Sequence, residues 1–226
     1  MACDVDFLRA LTKAPGPTGF EGPVRAVVRD RLTPLAEQQA DPLGNVLARV
    51  AGQGGLEVAA VAHADQIGLI VTYVDDNGFL SFSRIGGVAR QLLPGNRLAI
   101  HTEHGPIDGV VGRKPTHFIP QEERGKAPEL HEQYIDIGAT SKQSALERVA
   151  IGDPVTFAPA FIELAPDVFA TQACDDRAGV YVVCRALQEY AAKPAAAAFT
   201  AMATVHEETT FMGAKSQAHR LRPDVV

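Results

Sequence analysis

Two adjacent carboxylates, Glu207 and Glu208, follow an apolar run in the sequence AMATVHEETTFMG. A neighbouring pair of acids most often lies on a solvated corner, so the pair alone predicts no chemistry. Its position carries more information, because residues 199–205, FTAMATV, are apolar apart from two threonines, which is typical of a strand covered on both faces. A buried strand that ends in two acids indicates a site if other polar side chains reach the same place.

A second apolar segment ends in the same way. Residues 56–62, LEVAAVA, are apolar at all but one position and run directly into His63 and Asp65. The sequence CDDRAG then begins a predicted helix that Asp175 or Asp176 would cap. If both strands belong to one parallel sheet, these side chains meet at its carboxyl edge, where ligands gather in open α/β folds.

Metal binding is the chemistry that such a group favours. Crowded carboxylates raise one another's pKa values, and a divalent cation removes that conflict. Histidine with aspartate and glutamate suits zinc or a similar ion, and two ions that share a carboxylate could activate a water. Ordinary alternatives stay open: His63 as a hydrogen-bonded core histidine, Asp65 as a turn cap, Asp175 as a helix cap and the glutamates as exposed side chains. Strand alternation predicts His206 as a neighbour of the site and not a ligand.

Composition limits the class of protein. The chain has 226 residues, 46% of them hydrophobic and 21% charged, with a formal net charge of -6. A mildly acidic chain without dense basic runs argues against nucleic acid or a membrane surface as the main partner. No apolar run approaches the roughly 20 residues of a membrane span, and the N-terminal sequence has no signal-peptide pattern. The three cysteines form no CxxC motif and predict reduced thiols in a cytoplasm.

The sequence changes character between the two apolar strands. Residues 69–161 contain short strands and turns, with Asn77-Gly78 as the strongest hairpin signal and a second hairpin expected around His104-Gly105. We therefore predict a small all-β domain at 69–161, inserted into an α/β domain that residues 1–68 and 162–226 form. Residues 113–133 are rich in charge and proline and are predicted to form an exposed loop.

The motifs resemble family forty-two of the metallopeptidases, the glutamyl-aminopeptidase and tetrahedral-aminopeptidase relatives, some of which are labelled endoglucanases. Six blocks follow the family order and span nearly all of the chain: APGPTGFEGPVR, DPLGNVLARV, VAHADQIGLIV, YIDIGATSKQSALERVAIGDPVTF, CDDRAG and TVHEETTFMGA. The resemblance implies a zinc-exopeptidase-like mixed sheet with helices on both faces. It also implies an inserted barrel-like domain that takes part in assembly of a homo-oligomer, from a dimer to a dodecamer.

The resemblance also implies a role for each site residue. His63 would bind one metal ion, Asp175 would bridge two ions and Glu208 would bind the other. Glu207 would be the general base, and Asp65 would orient His63. The expected cofactors are two divalent metal ions, with zinc first and cobalt or manganese as alternatives. The peptide bond that follows Asp175 is expected to be cis.

Three departures from the family pattern stand out. Gln66 replaces an acid that is usual in relatives, and Thr209-Thr210 replaces a Val-Gly pair. The sequence also stops at Val226, before a further metal-binding aspartate and a distant metal-binding histidine of the relatives. The sequence thus resembles a fragment or a truncated chain, and a polypeptide of these residues alone is expected to be inactive and poorly soluble and to bind at most one metal loosely.

The function predicted from the sequence is a metal-dependent aminopeptidase that hydrolyses the N-terminal residue of peptides through a water activated by two metal ions. Two alternatives remain. A glycoside hydrolase is suggested only by the endoglucanase labels of some relatives, and adjacent strand residues would not face each other across a glycosidic bond. The other alternative is an inactive scaffold that assembles through the β domain.

Overall fold

The computed structural model describes residues 3–226, apart from the side chains of Ala40, Thr116 and Glu123. Met1 and Ala2 of the predicted first domain lie outside the described residues. The helices are α1 (Val5–Lys13), α2 (Gly22–Leu32), α3 (Lys142–Leu146), α4 (Cys174–Ala192), α5 (Glu207–Thr210) and α6 (Met212–Leu221). The strands are β1 (Glu37–Ala40), β2 (Val46–Val50), β3 (Glu57–His63), β4 (Gly68–Val74), β5 (Leu80–Ile85), β6 (Arg97–Thr102), β7 (Gly105–Arg113), β8 (Gln133–Asp136), β9 (Pro154–Phe157), β10 (Phe161–Ala165), β11 (Val168–Thr171) and β12 (Ala198–Thr204).

The described chain divides into two compact units. The α/β unit contains the residues up to Gln66 together with Ala160–Val226, and the barrel unit is Ile67–Pro159. The boundaries expected from the sequence, 68/69 and 161/162, fall two residues later at each junction. Phe161, the last residue of the predicted β domain, instead opens β10, which pairs with β11 in a two-stranded ribbon of the α/β unit.

The α/β unit is built on a four-stranded mixed sheet in the order β1-β2-β12-β3. The two apolar strands predicted from the sequence, β3 and β12, are parallel neighbours, and their register ends with Thr204 opposite His63. Both strands therefore stop at the same edge. This is the arrangement that the candidate site required.

Helices cover both faces of this sheet, as the resemblance implied. Alternate residues of the strands point to opposite sides, so Ala48 and Ala201 join one core while Leu47 and Met202 join another. The first core also contains the buried residues of α1, α2 and α4: Phe7, Leu11, Val24, Val28, Leu32, Val180, Val183, Cys184 and Leu187. On the opposite face, Leu221 of α6 packs against the second core.

The barrel unit is a closed six-stranded barrel in the order β4-β5-β8-β7-β6-β9. Its interior is filled by fully buried apolar side chains, among them Leu69, Leu80, Leu98, Ile100 and Ile135. Closure gives each barrel strand a hydrogen-bonded neighbour on both sides, although β5 and β8 share only the Leu80–Ile135 pair, so no strand is left at a sheet edge where another chain could pair.

Both predicted hairpins are present. The β4–β5 connection contains Gly78 with φ +91°, and the Asp75 side chain accepts hydrogen bonds from the amides of Asn77 and Phe79. Gly105 of the β6–β7 hairpin has φ +109°, which a residue with a side chain rarely adopts. The segment after β7 is mostly exposed, as predicted, and contains three short 3-10 turns. None of the helices in residues 3–226 is long and apolar enough to cross a membrane.

Candidate active site

His63 is the last residue of β3, and its side chain is only 11% exposed. Its Nε2 atom lies 3.1 Å from Asp175 Oδ1 and 3.6 Å from Glu207 Oε2. Its Nδ1 atom faces Asp65, at 3.2 Å from the backbone oxygen and 3.5 Å from Oδ1. Three predicted site residues therefore surround one imidazole ring.

Asp65 lies behind this ring and is fully buried. Its Oδ1 accepts a hydrogen bond from the Glu207 amide at 3.0 Å. Its Oδ2 accepts one from the Glu208 amide at 3.1 Å and another from the Thr18 hydroxyl at 2.7 Å. One carboxylate thus connects the end of β3 to the backbone that follows β12.

The two aspartates at the start of α4 divide their roles. The Asp175–Asp176 peptide bond is cis, as the resemblance implied. Asp176 is the helix cap, since its Oδ1 accepts a hydrogen bond from the Gly179 amide at 3.0 Å. A Cβ atom at Gly179 would lie 2.3 Å from that oxygen, so a larger residue there would have to displace the capping carboxylate. Asp175 is free to point outward, and its side chain is 91% exposed beside His63.

The glutamate pair does not lie on a strand, so the alternation argument used for His206, which assumed that the strand of residues 199–205 continued into the pair, is wrong. β12 ends at Thr204, His206 adopts a left-handed conformation with φ 60°, and the two glutamates begin the short helix α5. The turn is stabilised because the buried Asn45 side chain accepts a hydrogen bond from the Val205 amide at 3.0 Å. A left-handed conformation is uncommon outside glycine, even though histidine is among the residues that adopt it more often, so strand continuity was the simpler expectation.

The structure brings the glutamates to the histidine by this turn. One ligand atom from each of His63, Glu207 and Glu208 lies within 4.8 Å of the others. The ligand set implied by the resemblance was His63, Asp175 and Glu208, so two members coincide. Asp175 lies at hydrogen-bond distance from His63 Nε2 and is not part of that trio. His206, predicted as a neighbour and not a ligand, is also outside it.

Charge is distributed unevenly over these groups. Burial disfavours the imidazolium, but Asp65, Glu207 and Asp175 outweigh it and raise the pKa of His63 to about 9. Burial raises the pKa of Glu208, and the charges of the neighbouring carboxylates raise it further, although the charge of His63 acts in the opposite direction. Burial would also raise the pKa of Asp65, yet the hydrogen bonds that it accepts lower it. A concentration of negative charge around one imidazole is an environment that attracts a cation.

Two residues of the site region were missed by sequence reasoning. Thr18 contacts Asp65, and the fully buried Arg177 donates to Gln66 Oε1 at 3.1 Å. Gln66, one of the departures from the family pattern, thus accepts a hydrogen bond from a guanidinium. The partners in these two contacts are 47 and 111 residues apart in the chain, so the spacing of residues within a short motif could not predict them. The available signal was the density of proline and glycine around Thr18.

The family model described as M42 glutamyl aminopeptidase matches residues 44–226. The chain belongs to this family. It is 35% identical, over 97% of its length, to a putative aminopeptidase of Acetivibrio thermocellus. It is similar to the crystal structure of a TET aminopeptidase from the marine sediment archaeon Thaumarchaeota archaeon SCGC AB-539-E09, with 34% identity, 98% of this chain covered and a TM-score of 0.93.

A third similar protein is the TET1 peptidase of Pyrococcus horikoshii, which is described as assembling into a tetrahedron or a large octahedral shell. It shares 32% identity over 97% of this chain, with a TM-score of 0.86, and the chain covers 66% of it. The chain covers 63% of both the Acetivibrio protein and the archaeal TET structure. It therefore spans slightly less than two thirds of their lengths.

Proposed function

We propose that this chain carries catalytic residues of a metal-dependent aminopeptidase, which hydrolyses the N-terminal residue of peptides. The observation that carries the proposal is the meeting of His63, Glu207 and Glu208 within 4.8 Å, with Asp175 on the same imidazole. Membership of an aminopeptidase family supports the reaction class. The proposal concerns the whole enzyme, of which this chain spans about 63% by comparison with its relatives.

The donor set fits divalent metal ions. An imidazole nitrogen and carboxylate oxygens are ligands suited to zinc, and also to cobalt or manganese. His63 would hold one ion, Glu208 a second, and the exposed carboxylate of Asp175 would bridge the two. Divalent ions bound there would lower the pKa of a water molecule and polarise the peptide carbonyl. The raised pKa of His63 supports this fit, since it reports a local excess of negative charge.

Glu207 is the residue that we assign as general base. Its side chain is 29% exposed, so the carboxylate is open to water while it approaches His63 Nε2. A carboxylate in this position can take a proton from the attacking water and return it to the departing amine. The backbone of Glu207 is held by Asp65, which leaves the side chain free for proton transfer.

Asp65 is assigned a supporting role. A proton on Nδ1 of His63 would be directed at the oxygens of Asp65, which leaves the Nε2 lone pair available to a cation. The carboxylate is fully buried and its pKa is lowered by the hydrogen bonds that oppose burial, so it remains ionised and accepts that proton interaction.

The glycoside hydrolase alternative has less support. Glycosidases separate their two carboxyl groups by roughly 5–9.5 Å, with the sugar between them. Here oxygens of Glu207 and Glu208 lie within 4.8 Å of each other and of His63, which suits a shared cation better than a flanked glycosidic bond. The inactive scaffold alternative predicts no hydrolysis at all, and the experiment below separates it.

Assembly and location are also proposed. We infer that the barrel unit contributes to a homo-oligomer, by analogy with the Pyrococcus horikoshii peptidase described as forming shells. The unit also exposes several large apolar side chains that contacts with a partner copy would cover: Leu92, Phe118, Leu146 and Ile151. Free cysteines support a reducing compartment such as the cytoplasm.

The decisive experiment measures release of a dye from amino-acid amides by the purified whole enzyme, before and after removal of metal with a chelator. We expect activity that disappears with chelation and returns on addition of zinc, cobalt or manganese. Hydrolysis that survives complete metal removal would eliminate the proposed mechanism. Release of sugar from a glycoside substrate, without release from any amide, would favour the glycosidase alternative.

A further inference from the structure

The segment between the first two helices runs alongside the candidate site. Residues 14–21, here called the arm, connect α1 to α2. The Gly16 carbonyl accepts a hydrogen bond from the Gln66 amide at 3.0 Å, and Pro17 pairs with Gln66 in a parallel bridge. Two residues after Gly16, the buried Thr18 donates its hydroxyl to Asp65 Oδ2 at 2.7 Å.

Arg177 holds the arm in place from the other side. Its Nη1 donates to the carbonyl oxygens of Leu11 at 2.6 Å and Ala14 at 3.2 Å. The fit is close, because a Cβ atom at Gly16 would lie 2.7 Å from Arg177 Nη2. The backbone on which Thr18 stands is therefore fixed by a buried guanidinium and by the chain after β3.

The hydroxyl of Thr18 donates a hydrogen bond to the Asp65 carboxylate, which also accepts hydrogen bonds from two backbone amides. Asp65 can rotate about its terminal torsion, which is broad and has no sharp intrinsic minimum. Oδ2 must accept from the Glu208 amide while Oδ1 accepts from the Glu207 amide and faces His63. A short side-chain hydrogen bond to Oδ2 selects the rotation in which all of these contacts occur together.

We propose that Thr18 is a positioning residue of the site. It fixes the rotation of the Asp65 carboxylate, and through it the His63 ring and the backbone of Glu207 and Glu208. The consequence for metal binding and turnover rests on the proposed function. The consequence for the backbone of Glu207 and Glu208 does not, because that contact lies within the protein itself.

The test compares Thr18→Val, which keeps the shape and removes the hydroxyl, with Thr18→Ser, which keeps the hydroxyl. Thr12→Val is the matched control, since Thr12 is a buried threonine of α1 whose hydroxyl bonds only to carbonyl oxygens of its own helix. In the whole enzyme, zinc affinity should fall about 10–100-fold in Thr18→Val, as is typical for loss of a residue that supports a ligand. Thr18→Ser should restore most of it, and Thr12→Val should retain wild-type affinity.

Turnover offers a second measurement on the same variants. Thr18→Val should lower kcat with little change in KM, because the residue does not reach the substrate. A general loss of folding would instead reduce the melting temperatures of Thr18→Val and Thr12→Val alike, without a selective loss of zinc affinity. If Thr18→Val unfolds, Thr18→Ala replaces it.

A third measurement needs no metal. Hydrogen exchange of the Glu207 and Glu208 amides in metal-free protein should accelerate in Thr18→Val and stay at the wild-type rate in Thr12→Val. Wild-type exchange at both amides in Thr18→Val would overturn the inference. So would wild-type zinc affinity in that variant, provided that the unaltered protein binds zinc. If the unaltered protein binds no metal ion, the proposed function fails, and the exchange rates alone decide the role of Thr18.

Discussion

The end of β3 and the interior of β6 each contain a histidine that is largely or partly buried, and the two rings behave in opposite ways. At His63, neighbouring carboxylates overcome burial and raise the pKa to about 9. At His101 in the barrel, burial alone lowers the pKa, and Nε2 is 2.9 Å from the neutral hydroxyl of Thr156. Burial is common to both, so the neighbours decide the charge.

This difference separates a structural histidine from a candidate ligand. In the barrel, the partly buried His101 ring forms its hydrogen bond with a hydroxyl from the adjacent strand β9, so no charged side chain is required. The α/β unit instead gathers acids around a ring, which is costly for a protein unless a cation or a reaction requires it. Substitutions at the acids and at both histidines test whether the contrast between His63 and His101 reflects function.

The largest effect is expected for Glu207→Gln, which keeps the size of the side chain and removes the base. Turnover should fall by about 10²–10⁴-fold, the range typical of general acid–base catalysis. Zinc affinity measured by calorimetry should change only a few-fold, since the assigned ligands remain. Glu163→Gln on the exposed ribbon is the control. Undiminished turnover would mean that another residue is the general base. The carboxylates around His63 would then have one functional explanation fewer.

The histidine contrast itself is tested by His63→Gln and His101→Gln. We expect His63→Gln to lose more than about 100-fold in zinc affinity, beyond the loss typical of a supporting residue. His101→Gln should bind zinc like the unaltered protein, because its ring touches only Thr156 among the hydrogen-bond partners described. Equal losses in both variants would mean that the site depends on general stability and not on the His63 ring.

Proton competition should give a smaller, graded effect. The pKa of His63 is raised to about 9, so the ring is protonated in metal-free protein at neutral pH. A cation needs the neutral ring and must displace that proton. As the pH is raised toward 9, zinc affinity should therefore increase about tenfold per pH unit, and above that pH it should level off. Zinc titrations between pH 6 and 10, with free zinc kept low by a buffer ligand, would measure it. His101→Gln should follow the same curve, and a flat profile would contradict the electrostatic account.

The smallest effect concerns the buried charge behind the site. Burial lowers the pKa of Arg177 to about 10, and its Nη2 donates to the neutral side chain of Gln66. Gln66→Glu supplies a charged acceptor, so the free energy of unfolding should rise by about 1 kcal/mol, the difference between neutral and charged hydrogen bonds. Urea denaturation measures this quantity.

Gln217→Glu is the matched control for that substitution. Gln217 is also a fully buried glutamine of the α/β unit, but its amide donates to the carboxylate of Asp41. A glutamate there would face Asp41, so stability should fall. If both substitutions destabilise the protein to the same extent, burial of the new charge outweighs any pairing with Arg177.

Sequence reasoning succeeded where the signal was local. The apolar runs before His63 and His206 became the parallel strands β3 and β12, and Asn77-Gly78 became a hairpin turn. It failed where the signal was weak or absent. The polar residues 37–40 form strand β1 because they pair with the edge of β2. Their sequence has no alternation of apolar and polar residues that would predict a strand.

The site shows the same limit. His63, Asp65, Asp175 and the glutamate pair could be predicted as one group because strand ends and helix starts meet at one sheet edge. The exact turn that presents Glu207 and Glu208 depends on a left-handed His206, which is a tertiary outcome. Thr18 and Arg177 reach the site region across 47 and 111 residues, and such contacts exist only once the chain has folded.

The pairing of β4 with β9 has a consequence for the order in which the protein is made. The register Leu69 with Val155 brings together the points where the chain enters and leaves the barrel unit. Asp65 must find the Glu207 amide across 142 residues, and a barrel that closes first removes most of that span as a free loop. Shortening a loop about threefold saves only about 1 kcal/mol of closure entropy, but it changes a slow long-range search into a nearly local one. During synthesis, the acids of α5 emerge after the barrel sequence is complete, so this half of the site cannot assemble before the whole barrel sequence has been made.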